Sequence, residues 1–532
     1  MVKGTASIAI NRVSPGNYLP GCVSLPSHYG TASWYRETTV KNIIAAVQEN
    51  LETLDQMTGF TSSLINREVV LKPNLVLVYD RIGLARPVYP NTTDPRVIEA
   101  TVLFLKRYQA RITIAESSGR GLPTRSAFKL SGLDRLAARH QVNLIALEEE
   151  PVNLYSFPHG KVEKSFLLPA VLERILQGEA LYFSLPKLKT NLYTGVSLGC
   201  KNSMGFFPYL FRQRNHNFNL PEKLADIHSF IPPDLIIIDG IVGGEEQSPG
   251  PVHPVDSRII ISGNQGPETD RAAARIMGFQ PEEMPLFQAL DRRFPPATRV
   301  KTAGHAPVIP FRPANPSLHS KDFRRHFPRV LALIGHEREE EGLPMELNCR
   351  GGCLATTRLG FEFFRFEGIP RNFPLTLIIG RGLYDGENRY YLDGEGTLYP
   401  LEKIQTLPRP VLAIGSCAVQ TCGHFASRSL KGCMIHPNSV HQSLHQLTGL
   451  RCRMLNPLAP AIVPFIKGRM SMQMRRFWQL ARGQHLDYSQ YLPEINSDFS
   501  PELDRGFLKV PLDPMDWKQR LHLIARELFT QI

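Results

Sequence analysis

Six of the eight cysteines in this chain fall within about a hundred residues of one another: Cys349, Cys353, Cys417, Cys422, Cys433 and Cys452, with Cys22 and Cys200 apart. In a cytosolic protein, local clustering of this kind points to metal binding or redox chemistry before structural disulfides. Four of them sit at chain junctions. Cys349-Arg-Gly-Gly-Cys353 lies just before an expected helix. Cys417 follows the apolar run PVLAI and Gly415-Ser416, and Cys433 follows Gly432 ahead of another expected helix. The glycines let the backbone turn tightly around a bulky ligand. Four thiolates converging from strand–helix junctions fit a 4Fe–4S cluster or a structural zinc site. Freed backbone N–H groups beside Cys417 and Cys433 would bond the sulfurs and tune a cluster's potential.

A second set of reactive residue types occupies the N-terminal half. It comprises Lys72-Pro73-Asn74, Glu116-Ser117-Ser118-Gly119, the run 186–191 with Lys187 and Lys189, and Gly199-Cys200-Lys201-Asn202. Two acidic turns join them, at Asp239 and Asp270. In open α/β sheets ligands bind outside the carboxyl ends of the strands. Lysines and amides delivered there suit phosphate or carboxylate groups. A lysine buried among apolar strands has a lowered pKa, useful in proton transfer or Schiff-base chemistry. The expectation is that Lys72, Lys187, Lys189 and Lys201 converge on an anion oriented by Asn74 and Asn202, with Glu116, Asp239 and Asp270 balancing charge. Cys200 is expected to be a small packing residue.

The elements that must position these groups are legible as apolar runs alternating with amphipathic stretches. Strands are expected at 67–73, 111–117, 142–150, 179–186, 234–240 and 257–263. Helices are expected at 94–108, where Asp94 caps and Pro95 opens the first turn, and at 269–278. The alternation argues for an α/β domain with a largely parallel sheet. A Pro-rich, basic stretch then intervenes. A second α/β set follows, with strands at 329–335, 374–380 and 408–416 and helices at 354–368 and 438–449. The expected organisation is an N-terminal domain over 1–310, a linker over 311–328, a metal-binding domain over 329–455 and a basic helical tail over 456–532. Within the tail, 468–484 is expected to form an amphipathic helix packing back on the body.

The chain has 532 residues, 42% hydrophobic and 21% charged, with a net charge of +12 and a pI near 9.3. This is the composition of a folded protein too long for one core. No signal peptide or apolar run of membrane-spanning length is visible, so a cytoplasmic location is expected. The positive charge reads as spread along the chain, with no block of Lys/Arg as long as a nucleic-acid-binding tail and no nucleic-acid-binding motif. It favours anionic small molecules or an acidic redox partner, not nucleic acid.

Two resemblances sharpen these expectations. VVLKPNLV, LPKLKTNLYTGVSLGCKNSMG, LIIIDGIVGGEEQSPGPV and TDRAAARIMGF, in that order over about 40–310, resemble the domain of unknown function 362 family. The resemblance implies that Lys72, Asn74, Glu116, Lys187, Lys189, Lys201, Asn202, Asp239 and Asp270 share one functional site, without implying a reaction. Asn191 stands where that family usually has a histidine. The stretch of about 329–450 is similar to the small subunit of nickel–iron hydrogenases and its counterpart in respiratory complex I. CRGGCLATTRLGFEFF, LTLIIGRGLYDGENRYYLDGEGTLYPLEKI, VLAIGSCAV and GCMIHPNSVHQSLHQLTG carry it. That resemblance implies a flavodoxin-like fold and a 4Fe–4S cluster on Cys349, Cys353, Cys417 and Cys433. The cysteine pair is spaced by three residues instead of the family's two, and Cys422 is close enough in sequence to substitute for Cys417. Together these features describe an iron–sulfur oxidoreductase or electron-transfer module serving an anionic substrate or cofactor. The alternatives are a maturation or scaffold protein and a zinc-stabilised binding protein.

Overall fold

The computed structural model describes residues 5–80, 86, 88–119, 122–209, 211–212, 216, 219–335, 350–368, 372–407, 410–432, 435–450, 460–487 and 507–529. Two α/β units with largely parallel sheets make up the chain. The main path of the first sheet runs, from one edge, through Arg299–Ala303, Thr5–Arg12, Ile259–Gly263, Leu235–Glu245, Ala180–Leu185, Glu68–Pro73, Arg111–Glu116 and Asn143–Ala146. The last five strands are mutually parallel, and Ile259–Gly263 is antiparallel to both its neighbours. The chain leaves Glu68–Pro73 toward Arg111–Glu116 and later returns to its other side as Ala180–Leu185. The strand order therefore reverses at Glu68–Pro73, and a crevice opens at the carboxyl ends there.

Strict alternation along these strands builds two cores, one on each face. Val70, Tyr182, Ile236, Ile238 and Ile261 face one side; Val69, Leu71, Ile112, Ile114, Phe183 and Ile237 face the other. The expected helix at 94–108 forms as Pro95–Lys106. The Asp94 carboxylate caps it by accepting from the Arg96 N–H at 2.9 Å. The strand expected over 142–150 is shorter. After Ala146 the chain turns into a 3₁₀ segment, where Glu148 accepts from Thr124 N at 2.7 Å and Glu149 pairs with Arg125. The strand Thr5–Arg12 and the helix Thr38–Thr58 that covers it are among the elements the expectations did not include, although buried Val40, Ile43, Val47, Leu51 and Leu54 of the helix recur at helical spacing.

The second unit has parallel strands Val330–Ile334, Leu375–Ile379, Val411–Ile414 and Arg428–Leu430, lying side by side in chain order. The free side of the first is taken by the antiparallel strand Arg389–Leu392, where a flavodoxin order would place a second parallel strand. The helix Ala355–Phe366 joins the two units. Phe361 and Phe364 enter the core of the second, while Ala355, Leu359, Phe363 and Phe366 enter a core of the first. Its charged residues Arg358 and Glu362 are buried too, and Arg365 is half-buried. Arg358 bonds Glu362 at 2.8 Å and Asp322 at 2.7 Å, and Arg365 reaches Glu246 of the first unit at 3.2 Å.

The Pro-rich stretch has no helix or strand from 304 to 320, yet it is tied to the first unit. Ile309 and Phe311 donate to the carbonyls of Ile276 and Met277, and Asn315 donates to Gln247. The tail also returns. Leu508–Val510 pairs with Val152–Ser156, and the helix Ile462–Ala481 packs on Thr124–Ser131. No described helix is long and apolar enough to cross a membrane. The tail helix approaches so closely that a Cβ on Gly468 would stand 2.1 Å from Ser126 Oγ. Gly468→Val is therefore expected to destabilise the tail docking by about 1–3 kcal/mol. Limited proteolysis should then cleave the tail faster than in the wild type; unchanged rates would count against this contact.

Candidate functional site

The crevice at the switch point is a cavity of about 340 Å³. Its polar floor is built from the ends of three strands. Lys72 closes the strand Glu68–Pro73, Glu116 closes Arg111–Glu116, and Lys189 lies on the short strand Lys187–Asn191 that continues beyond Ala180–Leu185. Lys201 and Asn202 come from the turn of helix Gly199–Asn202.

Lys72 Nζ lies 2.9 Å from both Glu116 oxygens, and the pair is fully buried. Glu116 also accepts from the N–H groups of Leu75 and Ser117 at 3.1 and 2.8 Å. Burial pushes the Lys72 pKa down and the Glu116 pKa up, and each partner opposes the other's shift. Asn202 holds the lysine, donating to the Lys72 carbonyl at 3.0 Å and accepting from Nζ at 3.4 Å. Only a glycine fits above the pair: a Cβ on Gly205 would lie 2.5 Å from Lys72 Nζ and from Glu116 Oε1.

Lys189 is fixed differently. Its ammonium donates to the Asn91 carbonyl at 2.5 Å, Asn91 Oδ1 at 2.9 Å and Asn74 Oδ1 at 3.3 Å. That uses all three of its donors on neutral oxygens. Burial, with the charges of Lys201 and Lys187, pushes its pKa well down. Lys201 has neither a hydrogen bond nor an ion pair among the described residues. Burial, with the positive charges of Arg212 and Lys72, lowers its pKa to about 8. Arg212, which the sequence motifs did not point to, also lines the cavity. Its Nη2 bonds Ser117 Oγ and the Ser118 carbonyl at 2.8 and 2.7 Å, while its buried Nε has no partner among the described residues. The rest of the lining is largely apolar and includes Tyr79, Leu122, Tyr193 and Met204, with Leu359, Phe363 and Phe465 from the second unit and the tail.

Three residues expected at this site are elsewhere. Lys187 is buried against Asp239 at 2.8 Å, and Asp239 also accepts from the N–H groups of Asp94 and Ile241. The pair joins the neighbouring strands Lys187–Asn191 and Leu235–Glu245 and does not line the cavity. Asp270 caps the turn of Lys201, accepting from Gly199 N at 2.8 Å and Cys200 N at 2.7 Å. Burial raises its pKa to about 6. Cys200 is fully buried, and burial pushes its thiol pKa well up, so it packs as expected.

The cysteine site is described in part. Cys349, Cys433 and Cys452 lie outside the described residues. Cys353 and Cys417 converge on Gly415, which has a φ of +91°. A Cβ there would stand 2.8 Å from the Cys353 sulfur and 3.8 Å from the Cys417 sulfur. Gly415 and Ser416 N–H donate to the carbonyls of Leu430 and Gly432, binding this turn to the residue just before Cys433. Cys422 points away into the core on the other face of the sheet, where Tyr391 Oη lies 3.3 Å from its sulfur. Among the described residues no three His, Cys, Asp or Glu side chains form a metal-binding group.

The profile of the family described as Domain of unknown function (DUF362) matches residues 69–275, the stretch that supplies every charged residue of the cavity floor. The chain is also similar to Thylakoid-associated protein sll1697 of Synechocystis sp. (strain ATCC 27184 / PCC 6803 / Kazusa). The two are 23% identical over 263 residues, 47% of this chain and 75% of that protein. No solved structure matches the chain.

Two outcomes follow from this geometry. Lys187→Met leaves Asp239 buried without its counter-charge, so urea unfolding should show a loss of about 3–5 kcal/mol; a loss well under 1 kcal/mol would rule out the pair as a structural lock. Lys201 binds its proton more weakly in the fold than in the unfolded chain, so it disfavours folding below about pH 8. That penalty fades as pH rises toward the ordinary lysine value. Melting curves should show Lys201→Gln gaining on the wild type at neutral pH, with the gain shrinking by pH 10. A pH-independent difference would contradict the shift.

Proposed function

We propose that this chain is an iron–sulfur redox protein that acts on an organic anion held in the lysine-lined cavity. The observation that supports it most directly is that the cavity's charges are satisfied except for two. Lys72 is paired and Lys189 is saturated by asparagine oxygens, while the Lys201 ammonium and the Arg212 Nε have no partner among the described residues. Two cationic donors over an otherwise apolar wall suit a carboxylate or phosphate head on an apolar body. Lys201, with a pKa near 8, can also hold or give up a proton beside that head.

The cluster ligands in this reading are Cys349, Cys353, Cys417 and Cys433. The approach of the Cys353 and Cys417 sulfurs to Gly415, which has no side chain to hold them apart, fits a thiolate-bound group. Bound there, a 4Fe–4S cluster supplies or accepts single electrons. The helix that starts just after Cys353 carries Leu359 and Phe363 into the cavity wall. At 1.5 Å per residue these lie on the order of 10 Å along the helix from the cysteine.

Anaerobic purification followed by iron, acid-labile sulfide and zinc analysis tests the reading. Cys353→Ser and Cys417→Ser should lose most of the iron, while Cys22→Ser and Cys422→Ser keep it. Zinc in place of iron, or equal iron in all four variants, would overturn the cluster assignment.

A further inference from the structure

The helix Ile462–Ala481 exposes a row of large apolar side chains. Val463, Ile466, Met470, Met474 and Trp478 are each 50–65% exposed. Their spacing of three, four, four and four residues puts them in an arc of about 120° at 3.6 residues per turn. The opposite face is accounted for: Gly468 meets Ser126, Arg476 bonds the Glu148 carbonyl and Asp487, and Leu480 is buried against the helix Trp517–Phe529. That second helix exposes Trp517 and Leu521. A contiguous outward stripe of this kind is a marker of an interaction surface.

The surrounding charge identifies the partner's chemistry. From residue 403 to residue 486 there are eleven lysines and arginines and no aspartate or glutamate, so this stretch carries +11 against +12 for the whole chain. Lys467 lies within the exposed arc, with Arg475 and Arg482 on its edge, all three exposed. Among the described residues, the one acidic contact of this group is Arg475 with Glu149 at 3.4 Å. Apolar side chains at the centre, tryptophan in the stripe and basic residues around it match a helix lying in the interface of an anionic bilayer. A nucleic acid would satisfy the charges and leave the methionines and valine in water.

We propose that the helix Ile462–Ala481 docks this protein on anionic lipid surfaces, lying flat with Val463, Ile466, Met470, Met474 and Trp478 inserted. Ile462 and Phe465, on the first turn of the same helix, line the cavity, so docking sets the cavity beside the lipid surface. The surface stands independently of any cluster or ligand.

Flotation of the full-length protein with vesicles of phosphatidylcholine, with and without phosphatidylglycerol, tests the proposal. The protein should float with the anionic vesicles roughly ten-fold better than with the neutral ones, and less so at high salt. Met470→Gln, Met474→Gln and Trp478→Gln combined should lose that binding while the melting temperature stays unchanged, because all three positions are exposed. Absence of flotation, or equal flotation of the triple variant, overturns the proposal. So does a lipid-free dimer that the triple variant abolishes, since the face would then be covered by a second copy.

Discussion

The burial of the helix Ala355–Phe366 on two sides is the constraint on which the remaining arrangement hangs. A helix that is apolar on one face can end at the surface; this one cannot, because Phe361 and Phe364 need the second unit while Leu359, Phe363 and Phe366 need the first. Burying each such side chain contributes about 1.5–3 kcal/mol, so separating the units would expose several at once. The buried polar groups reinforce this. Arg358 and Glu362 are satisfied by each other, by Asp322 and by Arg365, which itself reaches across to Glu246. Removing one member would strand the others away from water. Close packing of this helix on Pro437–Thr448 is possible because Gly360 has no side chain: a Cβ there would meet Val440 at 2.6 Å.

The cavity shows how a fold can gather several positive charges without collapsing its own stability. Like charges in a desolvated site repel, and burial alone disfavours each. The structure answers each lysine in a separate way. Lys72 receives a carboxylate, Lys189 receives three neutral oxygens, and Lys187 is withdrawn from the cavity to Asp239. Lys201 is left to lower its pKa instead. What remains available to a ligand is therefore small and defined, although the sequence displays a larger number of basic residues. Asn74, Asn91 and Asn202 act as holders of lysines here, which leaves Lys201 and Arg212 as the basic groups for the proposed anion.

Much of this was legible in the sequence, because apolar runs, caps and strand-end motifs are local signals. Glu116, Lys72, Lys189, Lys201, Asn74 and Asn202 do come together at one cavity. What was illegible depends on register or on distant contacts. Lys187 and Lys189 are two residues apart, a spacing that places both on one face of a regular strand. In the structure Lys187 is opposite Asp239 and Lys189 opposite Gly244, a shift of five residues against two. That irregularity sends one lysine to a buried carboxylate and the other to the cavity, and nothing in the local pattern announces it. Arg212 follows a stretch without periodicity. Thr5–Arg12 finds its partners at 259–263 and 299–303, far along the chain. The charge was misread for a different reason: the basic residues of 403–486 are scattered, and it is the missing acids that concentrate it.

Assembly order adds a final consequence. The cavity takes its floor from residues 72–212, one wall from Leu359 and Phe363, and another from Ile462 and Phe465. These segments are separated by about a hundred residues of chain or more, so closing the loops between them costs entropy that only tertiary packing offsets. An isolated first unit would retain the lysines and their partners, since those bonds are internal to it. It would lack the apolar walls, and water would reach Lys201. The site proposed here for an anion with an apolar body thus needs both later segments docked, and binding there would be coupled to the packing of the helix Ala355–Phe366 and of the tail.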